Sequence, residues 1–162
     1  MQEEEKRTGT MAKGRFNGSI INKMQMKLPA LSANEGMARA AVAAFCSQLD
    51  PSAVDIADIK CAVSEAVTNC IVHAYKKTTG TIYINVSLLE GRVAKIEIKD
   101  KGCGIDDVKE ARQPLFTTDA ASERSGMGFT VMESFTDKLQ VRSRPGSGTS
   151  VVMYKILGDR GE

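Results

Sequence analysis

Residues 81–100, TIYINVSLL, EGR and VAKIEIKD in succession, alternate with period two. Ile82, Ile84, Val86 and Leu88 fall on one side and mostly polar residues on the other, and EGR has the composition of a tight hairpin turn. A second pair, KLQVRSR and TSVVMYKIL around PGSG, closes the chain, and KMQMKLPAL gives a shorter strand near its start. Strands with one apolar side need cover on that side only.

The segments between them supply the cover. Ser32 and Glu35 have capping-box spacing, which predicts a helix through GMARAAVAAFCSQL to the stop at Asp50-Pro51. A longer helix follows over about Ser52 to Tyr75, with Ile56, Ile59, Val63, Ala66, Val67, Cys70 and Ile71 as its apolar face. DDVKEAR predicts a short helix and MGFTVMESFTD another; QPLFTTDAASERSG between them has no clear period. This order predicts an α+β fold, a two-layer sandwich of a mixed, mostly antiparallel sheet covered on one face by helices. One domain over residues 20–159 follows a polar leader, residues 1–19, expected to be disordered.

Composition narrows the function classes. No apolar run nears the roughly 20 residues that span a bilayer, and MQEEEKRTGT is too polar for a signal peptide. A cytoplasmic protein without a membrane partner is expected. A formal net charge of +2 is a poor match to direct nucleic-acid binding. Cys46, Cys61, Cys70 and Cys103 lack the spacing of a zinc site, His73 is the sole histidine, and reduced thiols are expected.

Three polar features remain. Glu65, Asn69 and His73 stand at successive i, i+4 positions on the long helix. Such a stripe is either a solvated face or a carboxylate and an amide turned toward a site, where one can act as a base and the other ligate a hard cation; His73 alone is expected to be structural. DKGCGI follows a strand with Asp100, Gly102 and Gly104, which suits either an ordinary turn or a carboxylate that meets a flat ligand's amine. SERSGMGF places Gly126 and Gly128 where a helix starts, with Arg124 before them and Thr130 after. That stretch lacks the third glycine of a dinucleotide fingerprint and the lysine of a Walker loop, which leaves a turn or an anion site at a helix N-terminus.

In order along the chain, E-x-x-x-N, D-x-G-x-G, G-x-G-F and G-x-G-T resemble the ATPase fold shared by gyrase-type, Hsp90-type, histidine-kinase and MutL-type proteins. More narrowly, SEAVTNCIVHAY, EARQPLFTT and ERSGMGFTVMESF are similar to the anti-sigma-F family of endospore-forming bacteria, and the likeness runs from about Met24 to Leu157. The resemblance implies a serine protein kinase that uses ATP and Mg2+. It implies binding to a sporulation sigma factor, phosphorylation of an anti-anti-sigma protein on serine, and a homodimer formed through the sheet side.

It also implies roles. Glu65 is the general base and Asn69 the magnesium ligand. Asp100 accepts from the adenine amine beside Gly102 and Gly104. Gly126, Met127 and Gly128 give N–H groups to the phosphates, with Arg124 at the γ-phosphate. Thr117, Thr118 and Thr130 border the phosphate lid over Gln113 to Ser125, Gly148 and Thr149 close the adenine side, and Arg39 docks partners. The family's HGY is HAY here, with Ala74 in place of glycine. A stress-response anti-sigma kinase and an ATP-sensing sigma-binding protein without catalysis are the competing expectations.

Overall fold

The computed structural model describes residues 14–76, 78–114 and 128–158. Five strands, β1 (Ile20–Pro29), β2 (Thr81–Leu89), β3 (Val93–Lys99), β4 (Lys138–Arg144) and β5 (Gly148–Ile156), form one sheet in the order β1-β2-β3-β5-β4. Every neighbouring pair is antiparallel, so the sheet is not mixed. The connections account for this. Two helices between β1 and β2 bring the chain back to the end it left, so β2 runs against β1. β3 and β4 run the same way, and β5 lies between them.

The helices are α1 (Ala33–Cys46), α2 (Ala53–Asn69), α3 (Val108–Ala111) and α4 (Gly128–Phe135). Alternate residues of the strands, among them Ile82, Ile84, Leu88, Ile96, Ile98 and Met153, are buried against Ile59, Val63 and Val67 of α2 and Met132 of α4. None of these four helices packs on the opposite face of the sheet. No described helix is long and apolar enough to cross a membrane. All four cysteines are free thiols.

The helices α1 and α2 start where expected, after Ser32 and after Ser52, but their caps differ from the expected ones. Ser32 stands at the start of α1 in helical conformation, with no side-chain cap bond. Its expected partner Glu35 instead accepts from the Ser64 hydroxyl of α2 and pairs with Arg39 at 3.1 Å. The capping box forms one helix later. Ser52 Oγ accepts from the Asp55 amide at 3.1 Å, and Asp55 Oδ2 accepts from the Ser52 amide at 3.0 Å. Asp55 is fully buried and also accepts from the Gly158 amide at 2.9 Å, which ties the start of α2 to the chain after β5.

At its other end α2 does not stop where the α-helix does. It widens into a π turn over Cys70–Ala74. Such turns are rare and often stand at functional sites. Of the leader expected over residues 1–19, residues 1–13 lie outside the described residues. Described from Gly14, it sets the Phe16 ring 5.2 Å from that of Tyr154 on the helix-free face.

Candidate functional site

The π turn, the end of β3, the loop after it, the start of β5 and α4 enclose a cleft of about 460 Å³. Ile98, Val151 and Phe129 give it apolar walls, and Asn69, Asp100 and Thr149 bring polar groups to it.

Asp100 is only 4% exposed. Its Oδ1 accepts from the backbone amides of Gly102 at 2.9 Å and Thr149 at 3.2 Å, and its Oδ2 accepts from the Cys70 thiol at 3.6 Å. Burial pushes the carboxyl above the usual carboxylate range, and the two backbone donors oppose that rise. The backbone thus holds one oxygen and fixes the carboxylate plane. Burial beside Asp100 also pushes the Cys70 thiol up, so the sulfur stays protonated and acts as a donor.

Glycines let three backbone segments meet around this carboxylate. A Cβ on Gly102 would stand 2.3 Å from the Ala74 carbonyl oxygen. On Gly104 it would stand 2.2 Å from that of Arg144, and on Gly148 2.2 Å from that of Asp100. Gly148 has φ +101°, a conformation L side chains rarely adopt. Backbone bonds complete the seam, Cys103 N to Ala74 O at 3.0 Å and Gly146 N to Cys103 O at 2.7 Å. The sequence suggests that Gly102 and Gly104 make room for a ligand. In the fold the space at Gly102 belongs to Ala74, and of the two only Gly104 lines the cleft. Ala74 in place of glycine fits because residue 102 has no side chain.

Toward Phe129, α4 begins against the polar stripe of α2; of Glu65, Asn69 and Gly128, only Asn69 lines the cleft. A Cβ on Gly128 would lie 3.2 Å from Asn69 Oδ1 and 3.4 Å from Glu65 Oε2. Glu65 and Asn69, one turn apart, therefore both reach Gly128, the first described residue of α4. Thr130 follows in the first turn of that helix. Thr117, Thr118, Arg124, Gly126 and Met127 lie outside the described residues. Arg39 sits on α1, half-exposed, and is not among the residues that line the cleft.

Cys70 and Tyr75 have no clear signal as site groups in the sequence, and His73, on the polar stripe, is expected there to be structural. Cys70 and His73 line the cleft, because the π turn carries them there. Tyr75 Oη donates to the Thr81 carbonyl at 2.8 Å and accepts from the Lys101 amide at 2.7 Å, which fixes the loop after Asp100.

The profile of the histidine kinase-like ATPase domain matches residues 28–155. An anti-sigma F factor of Caldanaerobacter subterraneus subsp. tengcongensis is 55% identical over 137 residues, which cover 85% of this chain and 95% of that protein. The chain belongs to the anti-sigma F factors, within the histidine kinase-like ATPase family. The anti-sigma F factor of Anoxybacillus flavithermus is 50% identical over 84% of this chain and 93% of its own length. Among solved structures, the RsbU and RsbW domains of a Mycobacterium tuberculosis protein superpose with a TM-score of 0.62 at 20% identity, over 84% of this chain and 32% of that one. The histidine kinase domain of an Erythrobacter litoralis blue-light activated kinase gives 0.53 at 18% identity, over 80% of this chain and 62% of that one. These two likenesses bear on the fold alone. The family's fold implies nucleotide binding.

Proposed function

We propose that the chain binds ATP in this cleft, transfers the γ-phosphoryl group to a serine of an anti-anti-sigma protein, and in its ATP-loaded state holds the sporulation sigma factor F away from RNA polymerase. The observation that carries the reading is the meeting of Gly128 with Glu65 and Asn69, where Asn69 lines the same cleft as the buried Asp100. Carboxylate, amide and helix start are then gathered at one end and an amine acceptor stands at the other, as a purine nucleotide requires.

In this reading Asp100 accepts from the adenine amine, and Gly148 and Thr149 close that side. Glu65 accepts the proton of the attacking serine hydroxyl while the new O–P bond forms and the bond to the leaving ADP oxygen breaks. A positioned base typically adds about 10²- to 10⁴-fold. The N–H groups of Gly126, Met127 and Gly128 and the Arg124 guanidinium meet the phosphate charge, since phosphoryl transfer depends on position and charge more than on covalent chemistry. Thr117, Thr118 and Thr130 border the lid.

Among the described residues no three His, Cys, Asp or Glu side chains gather to hold a metal. Mg2+ suits such a place, because it prefers oxygen donors, keeps several waters and takes few protein ligands. Asn69 Oδ1 would hold it; when bound it would supply charge neutralisation across the phosphates. Arg39 on α1 belongs to the docking surface for the sigma factor and its antagonist, and the protein acts as a cytoplasmic homodimer.

The test is incubation with the anti-anti-sigma protein, Mg2+ and labelled ATP. Phosphoserine is expected, and its loss in Glu65→Gln. Phosphoserine that persists in Glu65→Gln would remove Glu65 from the role of base. Sigma binding without any phosphoserine would leave an ATP-sensing inhibitor, and equal sigma affinity with ATP and ADP would end the link between nucleotide state and partner.

A further inference from the structure

A hydroxyl behind the cleft fixes a proton inside it. Ser143 of β4 stands opposite Thr149 of β5, and of the two only Thr149 lines the cleft. Ser143 Oγ meets the Ile105 amide at 2.8 Å, the Gly148 carbonyl oxygen at 3.0 Å and Thr149 Oγ1 at 2.8 Å. A serine hydroxyl has a single proton and a pair of lone-pair directions. The Ile105 amide can only donate, so it takes one lone pair. The Gly148 carbonyl can only accept, so it takes the proton. The other lone pair is left for Thr149, and Thr149 must supply the proton of that bond.

All of these contacts are hydrogen bonds in that arrangement alone. In it the Thr149 hydroxyl gives its proton to Ser143, away from the cleft, and keeps only lone pairs for a ligand. Its neighbour in the cleft is the Asp100 carboxylate, whose Oδ1 accepts from the Thr149 amide at 3.2 Å. Oδ1 is also held by the Gly102 amide, and Oδ2 takes only the weak Cys70 thiol donor. One end of the cleft therefore carries two adjoining side chains that accept and do not donate.

We infer that Ser143 is a positioning residue for base recognition: by drawing the Thr149 proton inward it makes this end of the cleft a pair of acceptors, which selects a nucleotide whose base carries an exocyclic amine. The inference rests on the reading of the cleft as an ATP site. Without Ser143 the Thr149 hydroxyl is free to turn its proton into the cleft, where it meets the amine donor to donor. Ser143 acts through Thr149, since its own side chain does not line the cleft.

The test compares ATP with the triphosphate of purine riboside, which is ATP without its exocyclic amino group, by calorimetry on the full chain. The parent should prefer ATP. Ser143→Ala should reduce that preference about threefold to tenfold, the range of one hydrogen bond, by weakening ATP more than the amine-free nucleotide. Thr149→Val keeps the branched shape, removes the hydroxyl and should reduce the preference as much. Ser143→Ala added to Thr149→Val should then reduce it no further. Equal weakening of both nucleotides by Ser143→Ala would make Ser143 a brace for the Ile105 loop and overturn the inference. So would a full preference retained in Thr149→Val, a measurement that stands even where Ser143→Ala does not fold. A parent that binds ATP without preferring it would end this inference alone; a parent that binds neither nucleotide would end the reading of the cleft with it.

Discussion

The two ends of the cleft are built in different ways. Around Asp100 the contacts are backbone to backbone, and the glycines are there because protein fills the place of their side chains. Around Gly128 the contacts are side-chain tips, Glu65 Oε2 and the Asn69 amide, against the start of one helix. In the proposed reading, a site for adenine is thus part of how the chain closes on itself, whereas the phosphate end is built from side-chain tips at a helix start. Substitutions should therefore separate at one end what they couple at the other.

The largest effect is expected at the phosphate end. Glu65→Gln keeps the shape and removes the base, so kcat should fall by about 10²- to 10⁴-fold, some 3–5 kcal/mol on the barrier. The melting temperature should hold within a degree or two, and ATP affinity should change little. A large loss of stability in that variant would break the contrast.

Next comes one substitution made at both ends. Gly148→Ala forces a Cβ to within 2.2 Å of the Asp100 carbonyl oxygen at φ +101° and should cost about 2–4 kcal/mol of stability, by denaturant titration. Gly128→Ala meets only movable side-chain tips at 3.2–3.4 Å, and alanine favours a helix, so stability should stay within about 0.5 kcal/mol. Its ATP affinity should nevertheless drop, and Gly128→Val should abolish nucleotide binding in a folded protein. Retained affinity in folded Gly128→Val would show that the phosphates do not lie over that helix start.

The same difference explains what the sequence can show. The strands around residues 81–99 are legible because each inward residue is apolar and each outward one mostly polar, and the Glu65–Asn69 spacing is legible because a helix fixes what lies one turn away. Local pattern fails where a distant segment decides. Ser32 and Glu35 have the right spacing for a cap, but Ser64 of the next helix claims Glu35, and the box forms at Ser52 and Asp55. Gly102 is a glycine because of Ala74, which precedes it by a helix end and two strands. The π turn that brings Cys70 to Asp100 has no sequence period of its own.

Asp100→Asn is a smaller change at the base end. The amide oxygen can still accept from Gly102 and Thr149, but the other position becomes a donor and meets the adenine amine donor to donor. ATP affinity should fall by about 1–3 kcal/mol, measured by calorimetry, with the fold intact. If the loss were equal for ATP and GTP, Asp100 would not be reading the base.

The smallest effect is the most specific to this carboxyl. Asp100 has its pKa raised in the folded protein, chiefly by burial. The folded state then holds the proton more tightly than the unfolded one, so the slope of stability with pH is negative between the two pKa values. Stability from this group is fully present below the ordinary aspartate pKa of about 3.9 and is lost as pH rises through the raised folded value. Nucleotide binding should run the other way, because only the ionised carboxylate accepts from an amine without a competing proton. Across that window free protein should lose stability with rising pH while ATP affinity rises, and Asp100→Asn should flatten both trends. The side chains that bear on this titration, Cys70 and Tyr75, remain in the variant. A slope that survives in Asp100→Asn therefore belongs to another group, and the base end would then owe its rigidity to the glycine seam alone.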